Sequence, residues 1–193
     1  MAGVEGQIRQ EELDAQREAL RRVALAQVRQ YPDAVLRMRA NDVTEFDAAL
    51  AALVERMGRL MRDASGVGLA ANQIGVLQRV FVCQVGEDAP LVALVNPALV
   101  VSSEERETAE EGCLSLGAAA VVVDVERPLA VTVEAFSPAG ERLRIEAEGL
   151  EARVMLHELD HLDGVLIIDR ASPEQRRSAL AQLRPQPVLG PLA

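Results

Sequence analysis

The sequence contains no lysine and no tryptophan, and aromatic residues make up only 2% of its 193 residues. Proteins bind single-stranded nucleic acids by stacking bases on aromatic rings, and they bind phosphate backbones through clusters of basic side chains. The 20 basic residues of this chain are outnumbered by 30 acidic ones, which gives a formal net charge of −10. We therefore expect neither direct nucleic-acid binding nor attachment to an anionic membrane surface.

Long apolar runs and an export signal are missing as well. No apolar run approaches the roughly 18 residues that a membrane-spanning helix needs, and charged residues such as Glu5 and Arg9 stand where a signal peptide has an apolar stretch. We therefore expect a cytoplasmic protein. The two cysteines, Cys83 and Cys113, are too few for a disulfide framework, which leaves reduced thiols for metal binding or catalysis.

Apolar residues nevertheless account for 49% of the chain, which is enough for one folded domain with an extension. Loosely spaced leucines and valines predict an amphipathic helical extension over residues 1–29. The main domain is expected over residues 30–184, and residues 185–193 form a proline-rich tail that we expect to be flexible. Within the domain, Thr44 is the expected N-cap of a second amphipathic helix.

The middle of the chain is predicted to be mostly β-sheet. Alternating apolar residues indicate the strands, and Gly, Pro and Asn residues indicate the breaks between them. The predicted strands lie in residues 79–101, with breaks at 86–90 and at Asn96-Pro97, and in residues 121–125, 130–136 and 142–148. Beyond them the apolar spacing becomes helical over residues 150–161, and Ser172 is expected to cap a last short helix.

The only two histidines of the chain are four residues apart, in the sequence His157-Glu158-Leu159-Asp160-His161. On a helix this separation places both imidazoles on one face, where two ring nitrogens can reach the same metal ion. Glu158 then lies beside water on that metal, where a carboxylate can act as a general base. The motif therefore predicts a catalytic metal site.

A catalytic site of this kind usually takes three protein ligands and keeps one position open for water. Three acidic residues downstream, Asp163, Asp169 and Glu174, are candidate third ligands, as in an HExxH metallopeptidase. Cys113 is the better candidate, because it follows a glycine among polar residues instead of lying inside an apolar strand. Cys83 does lie inside such a strand, and we expect it to be buried as an apolar residue.

Three segments, in this order along the chain, resemble the three sequence motifs of the peptide deformylase family. They are Gly66-Val67-Gly68-Leu69-Ala70-Ala71-Asn72-Gln73, Glu111-Gly112-Cys113-Leu114-Ser115 and His157-Glu158-Leu159-Asp160-His161. The resemblance extends from Tyr31 to Arg170, and it implies that residues 30–184 are the catalytic domain. It also implies an α+β fold in which antiparallel or mixed β-sheets surround the central HExxH helix, with the N-terminal helix as an extension.

The activity implied by this resemblance is removal of the N-formyl group from the N-terminal formylmethionine of nascent polypeptides, with release of formate. The matching positions make Cys113, His157 and His161 the ligands of one divalent metal ion. Fe²⁺ is the expected native ion, and Zn²⁺ or Ni²⁺ suits the same ligands. Water on the metal is then the nucleophile, and Glu158 is the general base that later gives the proton to the leaving amine.

The resemblance also implies which groups stabilise the reaction and bind the substrate. The Gln73 side-chain amide and the Leu114 backbone N–H would stabilise the negative charge that develops on the formyl oxygen. The residues expected to bind the substrate are Gly66, Val67, Gly68, Gly112, Leu150, Arg153 and Val154. The first three look like a strand edge with which the peptide pairs.

At three positions the chain departs from the family's usual residues. Gly117 stands where proline is usual, Leu156 replaces glutamine immediately before HExxH, and Asn72 stands where proline or threonine is more common. None of these changes removes a ligand or the general base. The HExxH motif taken alone leaves an HExxH metallopeptidase open as an alternative, and the departures leave open a weakly active deformylase-like protein that binds peptides.

A nascent-chain substrate implies transient proximity to the ribosome, where relatives can dock through a basic C-terminal helix. In this chain Arg176, Arg177 and Arg184 supply some positive charge, but the prolines of residues 185–193 end any helix there. We therefore expect proximity through the substrate and no direct docking through the tail.

Overall fold

The computed structural model describes residues 2–86 and 88–184. The helices are α1 (Ala2–Leu25), α2 (Ala48–Asp63), α3 (Gly149–Leu162), α4 (Ile167–Arg170) and α5 (Pro173–Gln182). The strands are β1 (Gly68–Ala70), β2 (Val80–Cys83), β3 (Val92–Ser102), β4 (Arg106–Gly112), β5 (Val122–Pro128), β6 (Ala130–Phe136) and β7 (Arg142–Glu148). Short 3-10 helices cover Ala34–Arg37 and Ala71–Ile74. The predicted tail, residues 185–193, lies outside the described residues.

Five strands form one antiparallel sheet in the order β1-β2-β3-β6-β7, and β4 pairs with β5 in a separate antiparallel sheet. Helix α3 packs against strands of both sheets, among them β1, β2, β5 and β7. Its apolar residues share a core cluster with Phe81 and Leu94 of the larger sheet. The predicted α+β fold, with β-sheets around a central helix, is confirmed.

Helix α3 agrees with its predicted bounds to within one residue at each end. Most of its residues are buried, so that polar side chains such as Glu158 and Asp160 lie inside the protein. The helix ends just before Gly164, which has a left-handed φ of +76°. A Cβ atom at Gly164 would lie 2.5 Å from the carbonyl oxygen of Arg37, so this close approach requires glycine.

Helix α2 begins later than predicted. Asp47, and not Thr44, is its N-cap, because the Asp47 side chain accepts hydrogen bonds from two N–H groups of the first turn, each at 3.0 Å. The buried side of α2 packs against β1 and β2 through Leu50, Val54, Met57, Leu60 and Met61. The predicted cap of α5 is confirmed, since Ser172 Oγ accepts from the N–H of Gln175 at 3.2 Å.

Two features of the sheets differ from the prediction. Strand β3 continues through Asn96-Pro97, where we expected a break. Asn96 has a positive φ of 52°, and the pairing register shifts there, so a bulge accommodates a proline that has no N–H for the ladder. Strands β1 and β4 were not predicted, because β1 has only three residues and β4 is almost entirely polar.

Helix α1 lies within the predicted extension, and its last turn and the chain that follows pack onto the domain. Ala24 and Val28 are buried in the same core cluster as Val54 and Met57 of α2. In the part of the chain that the structure describes, no helix is both long and apolar enough to cross a membrane.

Candidate metal centre and active site

Two elements bring three metal-binding atoms together. His157 and His161 lie one turn apart on α3, and Cys113 lies in the turn that follows β4. Cys113 Sγ is 3.2 Å from His161 Nε2, and the ligand atoms of all three residues lie within 4.8 Å of one another. A thiol and two imidazoles at this separation fit one divalent transition-metal ion such as Fe²⁺, Zn²⁺ or Ni²⁺.

The ring of His157 is oriented by a buried carboxylate. His157 Nδ1 is 3.0 Å from Glu111 Oε2, so an Nδ1–H donates to this oxygen and Nε2 is left for a metal. Burial alone would raise the pKa of Glu111, but hydrogen bonds from Arg127 and His157 outweigh it and lower the pKa to about 2. Glu111 is therefore a carboxylate at neutral pH.

Arg127 links this carboxylate to the second half of the HExxH helix. Its Nε and Nη2 donate to the two oxygens of Glu111, each at 2.9 Å, and its Nη1 donates to Asp160 Oδ2 at 2.6 Å. Asp160 also accepts from Arg170 Nε at 2.6 Å. No role was predicted for these side chains from the sequence. One signal in the sequence could have found Arg127. Alternate residues of a strand share a face, so the pattern of Val123 and Val125 continues to Arg127, and the structure buries all three.

Glu158 lies beside His157, and only 3% of its surface is exposed. Burial is the main reason that the pKa of this carboxyl is raised to about 7. Among the described residues, nothing hydrogen-bonds to its Oε2. Gly68 of β1 leaves the room that the carboxyl occupies, because a Cβ at this position would lie 2.9 Å from Glu158 Cδ. The site therefore holds a carboxyl group that can exchange a proton with a ligand in the cleft.

Gln73 and Leu114 are both neighbours of Cys113. The Gln73 side chain is fixed, since its Oε1 accepts from the N–H of Ala70 at 2.8 Å and its Nε2 donates to Ser115 Oγ at 3.2 Å. Its Nε2 is also 3.8 Å from Cys113 Sγ. Leu114 directly follows Cys113 in the turn. Both residues line the same cleft as the metal-binding group.

The structure brings the predicted site residues together in one cleft. Its lining includes Gly66, Val67, Gly68, Gln73, Gly112, Cys113, Leu114, Leu150, Arg153, Val154, His157 and Glu158. His161 lies behind this lining with 1% exposure. Of the predicted strand edge, only Gly68 belongs to β1, which is an edge strand of the sheet. The guanidinium of Arg153 is held by Glu111 and by the carbonyl of Val125, each at 2.9 Å.

The downstream acidic residues are engaged elsewhere. Asp163 accepts from Arg79 at 2.7 Å, Asp169 pairs with Arg37, and Glu174 is exposed in the first turn of α5. Cys83 is 4% exposed, as expected for a buried apolar residue. Burial is the largest cause that raises its thiol pKa to about 12.

A family model described as Polypeptide deformylase matches residues 25–177. The chain belongs to this family. Peptide deformylases are metal-dependent hydrolases that remove the N-formyl group from nascent polypeptides, and the predicted family and enzyme class are confirmed.

Peptide deformylases of other organisms match over most of the chain. The Thermotoga neapolitana protein is 49% identical over 149 residues, which cover 77% of this chain and 88% of that protein. The Acidothermus cellulolyticus protein is 44% identical over 162 residues, which cover 84% and 87%. The crystal structure of the Thermotoga maritima enzyme matches with a TM-score of 0.72 at 47% identity, covering 76% of this chain and 97% of that one. The Legionella pneumophila structure matches with a TM-score of 0.76 at 39% identity, covering 81% and 91%.

Proposed function

We propose that this deformylase removes the formyl group from the N-terminal formylmethionine of nascent polypeptides and releases formate. The observation that carries the proposal is the group of Cys113, His157 and His161 with the carboxyl of Glu158 beside it, in a cleft at the edge of the main sheet. The cleft is bordered by β1, where an extended peptide can lie against backbone groups.

The thiol of Cys113 and the imidazoles of His157 and His161 would hold one divalent metal ion. When bound, such an ion supplies a Lewis acid that makes water nucleophilic near neutral pH. We propose Fe²⁺ as the native ion, and the same ligands suit Zn²⁺ and Ni²⁺. The Glu111 carboxylate supports His157 as a ligand, because its contact with Nδ1 leaves Nε2 free for the metal.

Glu158 would carry the proton through the reaction. Its carboxylate would take a proton from the water that attacks the formyl carbon, as the new C–O bond forms. It would then give that proton to the amine as the C–N bond breaks, so that formate and a free N-terminus leave. The position of Oε2, buried and without a hydrogen-bond partner among the described residues, supports this role.

Two neutral donors would stabilise the negative charge on the formyl oxygen. These are the Nε2–H of Gln73 and the backbone N–H of Leu114. Because the Gln73 amide is already fixed by Ala70 and Ser115, little reorganisation is needed when charge develops. Loss of one such donor typically costs about 3 to 4 kcal/mol of transition-state stabilisation.

The peptide would pair with the chain at the edge of the sheet. Gly66, Val67 and Gly68 would contact its backbone, and Gly112 would border it on the opposite side of the cleft. The methionine side chain would lie against residues of α3, with Leu150, Val154 and the alkyl part of Arg153 as its walls. Leu150 is 57% exposed, which leaves apolar surface for a ligand to cover.

We further propose that residues 30–184 are the catalytic domain, with residues 1–29 as an extension and 185–193 as a tail. Nascent substrates imply a cytoplasmic enzyme that works transiently near the ribosome. The net charge of −10 and the pairing of Arg176 with Asp169 at 3.4 Å support proximity without direct docking on RNA.

The test is formate release from a formyl-methionyl tripeptide, with protein purified without oxygen and reconstituted with Fe²⁺. We expect turnover in the wild type, and loss of turnover with retained metal in Glu158→Ala. Full activity in Glu158→Ala would contradict the proposal. Metal content in Cys113→Ser separates the alternatives, because a metallopeptidase with an acidic third ligand would keep its metal and a Cys113 site would lose it.

A further inference from the structure

The residues that join α1 to the first 3-10 helix are bonded to both segments that carry the proposed oxyanion donors. The N–H of Arg29 donates to the carbonyl oxygen of Gln73 at 2.7 Å, and the N–H of Tyr31 donates to the carbonyl oxygen of Ser115 at 2.9 Å. Gln73 and Ser115 are both buried. A three-residue stretch outside the family motifs therefore connects two motifs that are far apart in sequence.

The side chain of Gln30, between these two residues, adds a bridge. Its Nε2 donates to the carbonyl oxygen of Leu114 at 2.8 Å, and its Oε1 accepts from the N–H of Ala118 at 3.3 Å. Arg21 of α1 also donates to the carbonyl oxygen of Ala118, at 3.2 Å. One amide group thus links the residue after Cys113 to the turn at the rim of the cleft.

The turn that Gln30 contacts has an unfavourable backbone conformation. Gly117, Ala118 and Ala119 have φ values of +61°, +56° and +67°. In this left-handed region the Cβ of an alanine crowds the following carbonyl oxygen, so such a run persists only where its surroundings hold it. The turn is joined to the metal-binding segment, because the N–H of Ala119 donates to the carbonyl oxygen of Cys113 at 3.0 Å.

We propose that residues 29–31 clamp the two oxyanion donors and that Gln30 is a positioning residue for the Leu114 N–H. The inference rests on the proposed function, which makes this N–H a donor to the formyl oxygen. The Leu114 N–H lies in the same peptide unit as the carbonyl of Cys113. Gln30 donates to the carbonyl oxygen of Leu114, and it accepts from Ala118 in the turn whose Ala119 N–H bonds to the carbonyl oxygen of Cys113. The direction of the donor therefore depends on Gln30.

The test uses two uncharged variants, Gln30→Ala and Gln30→Met, with Gln27→Ala as the matched control. Gln27 is an exposed glutamine on the same stretch, and its side chain accepts from Arg56 at 3.3 Å instead of reaching the cleft. For each protein we would measure kcat and KM with a formyl-methionyl tripeptide, bound metal per chain, melting temperature and hydrogen exchange of the Ala118 amide.

We expect kcat to fall about 10-fold in both Gln30 variants, less than the roughly 100-fold or greater loss caused by removing an oxyanion donor. KM and bound metal should match those of the control, the melting temperature should fall by only a few degrees because two hydrogen bonds are lost, and the Ala118 amide should exchange faster. Equal kcat in the Gln30 variants and in Gln27→Ala would overturn the proposal, as would a loss of kcat that only follows lost metal or lost folded protein. If the wild type releases no formate, the proposed function fails. The clamp is tested separately by hydrogen exchange, and it is overturned if the Ala118 amide exchanges in the Gln30 variants as slowly as in the wild type.

Discussion

A single methyl group at position 68 is expected to disable catalysis without removing the metal. A Cβ built on Gly68 lies 2.9 Å from Cδ and 3.1 Å from Cγ of Glu158, and it lies closer still to Oε1. Carbon atoms in contact are normally about 3.5 to 4.0 Å apart. In Gly68→Ala the carboxyl of Glu158 would therefore have to move by more than about 0.5 Å.

The structure gives this carboxyl little room to move. Glu158 is 3% exposed, and Gly68 is fixed on β1 by its pairing with Cys83 of β2. A displacement of about 1 Å at a reacting group can cost about 100-fold in rate, which is about 2.7 kcal/mol at 1.36 kcal/mol for each factor of ten. We expect Gly68→Ala to lower kcat by about 30- to 100-fold. Because the clash involves Glu158 and not the three proposed ligands, bound metal should not change.

The assay is formate release at saturating substrate, with elemental analysis of the same samples for metal. Glu158→Ala provides the control background, because without the carboxyl the methyl group has nothing to displace and should cause no further loss. Wild-type kcat in a metal-loaded Gly68→Ala protein would refute the reasoning. An equal additional loss in the Glu158→Ala background would refute it as well, because the effect would then not pass through Glu158.

Three further predictions concern stability and metal affinity. Glu111→Ala leaves Arg127 buried without one of its two carboxylates, so urea unfolding should show an unfolding free energy lower by about 3 kcal/mol. Because His157 also loses the carboxylate that orients it, competition with a chelator should show metal affinity weaker by about 10- to 100-fold. Asp47→Ala should lower the unfolding free energy by about 1 kcal/mol, whereas Thr44→Ala, at the position wrongly predicted as the cap, should leave it unchanged. Between pH 9 and 12 the folded protein keeps the Cys83 thiol protonated while the unfolded chain releases that proton, so stability should fall as pH rises, and Cys83→Ala should flatten this slope in urea titrations.

The two histidines of the proposed metal group were predictable from the sequence because their relation is local. Four residues on a helix place His157 and His161 on one face, and the apolar spacing around them predicts that helix. Cys113 is different, because β5, β6 and β7 lie between it and α3 in the sequence, and only the tertiary fold brings the two together. The residues around Cys113 rank it above the acidic candidates, but only the family resemblance and the structure place it in the metal group.

The polar network behind His157 was missed for the same physical reason. Glu111, Arg127 and Asp160 come from β4, β5 and α3, and no local pattern states that three charges will meet in the interior. Strand β4 itself was missed because its residues are polar, although they pair along the whole of β5. The alternation of a strand, continued from Val123 and Val125, would have predicted that Arg127 points inward. Because a buried charge needs a partner, it would also have predicted a buried carboxylate beside it.

The three departures from the family pattern act on the framework around the metal group. Gly117 has a φ of +61°, which the proline ring cannot adopt, so this turn follows a different course from one built on proline. Leu156 packs into the core cluster of α3, and its carbonyl accepts from Arg127 at 3.5 Å. Asn72 is fully buried and donates to the carbonyl oxygen of His161. Each residue thus touches an element that carries or orients a proposed ligand, while the donor atoms and Glu158 stay the same. The reaction chemistry should therefore follow the family, and any difference in rate should arise from how firmly these contacts hold the ligands and the Leu114 turn.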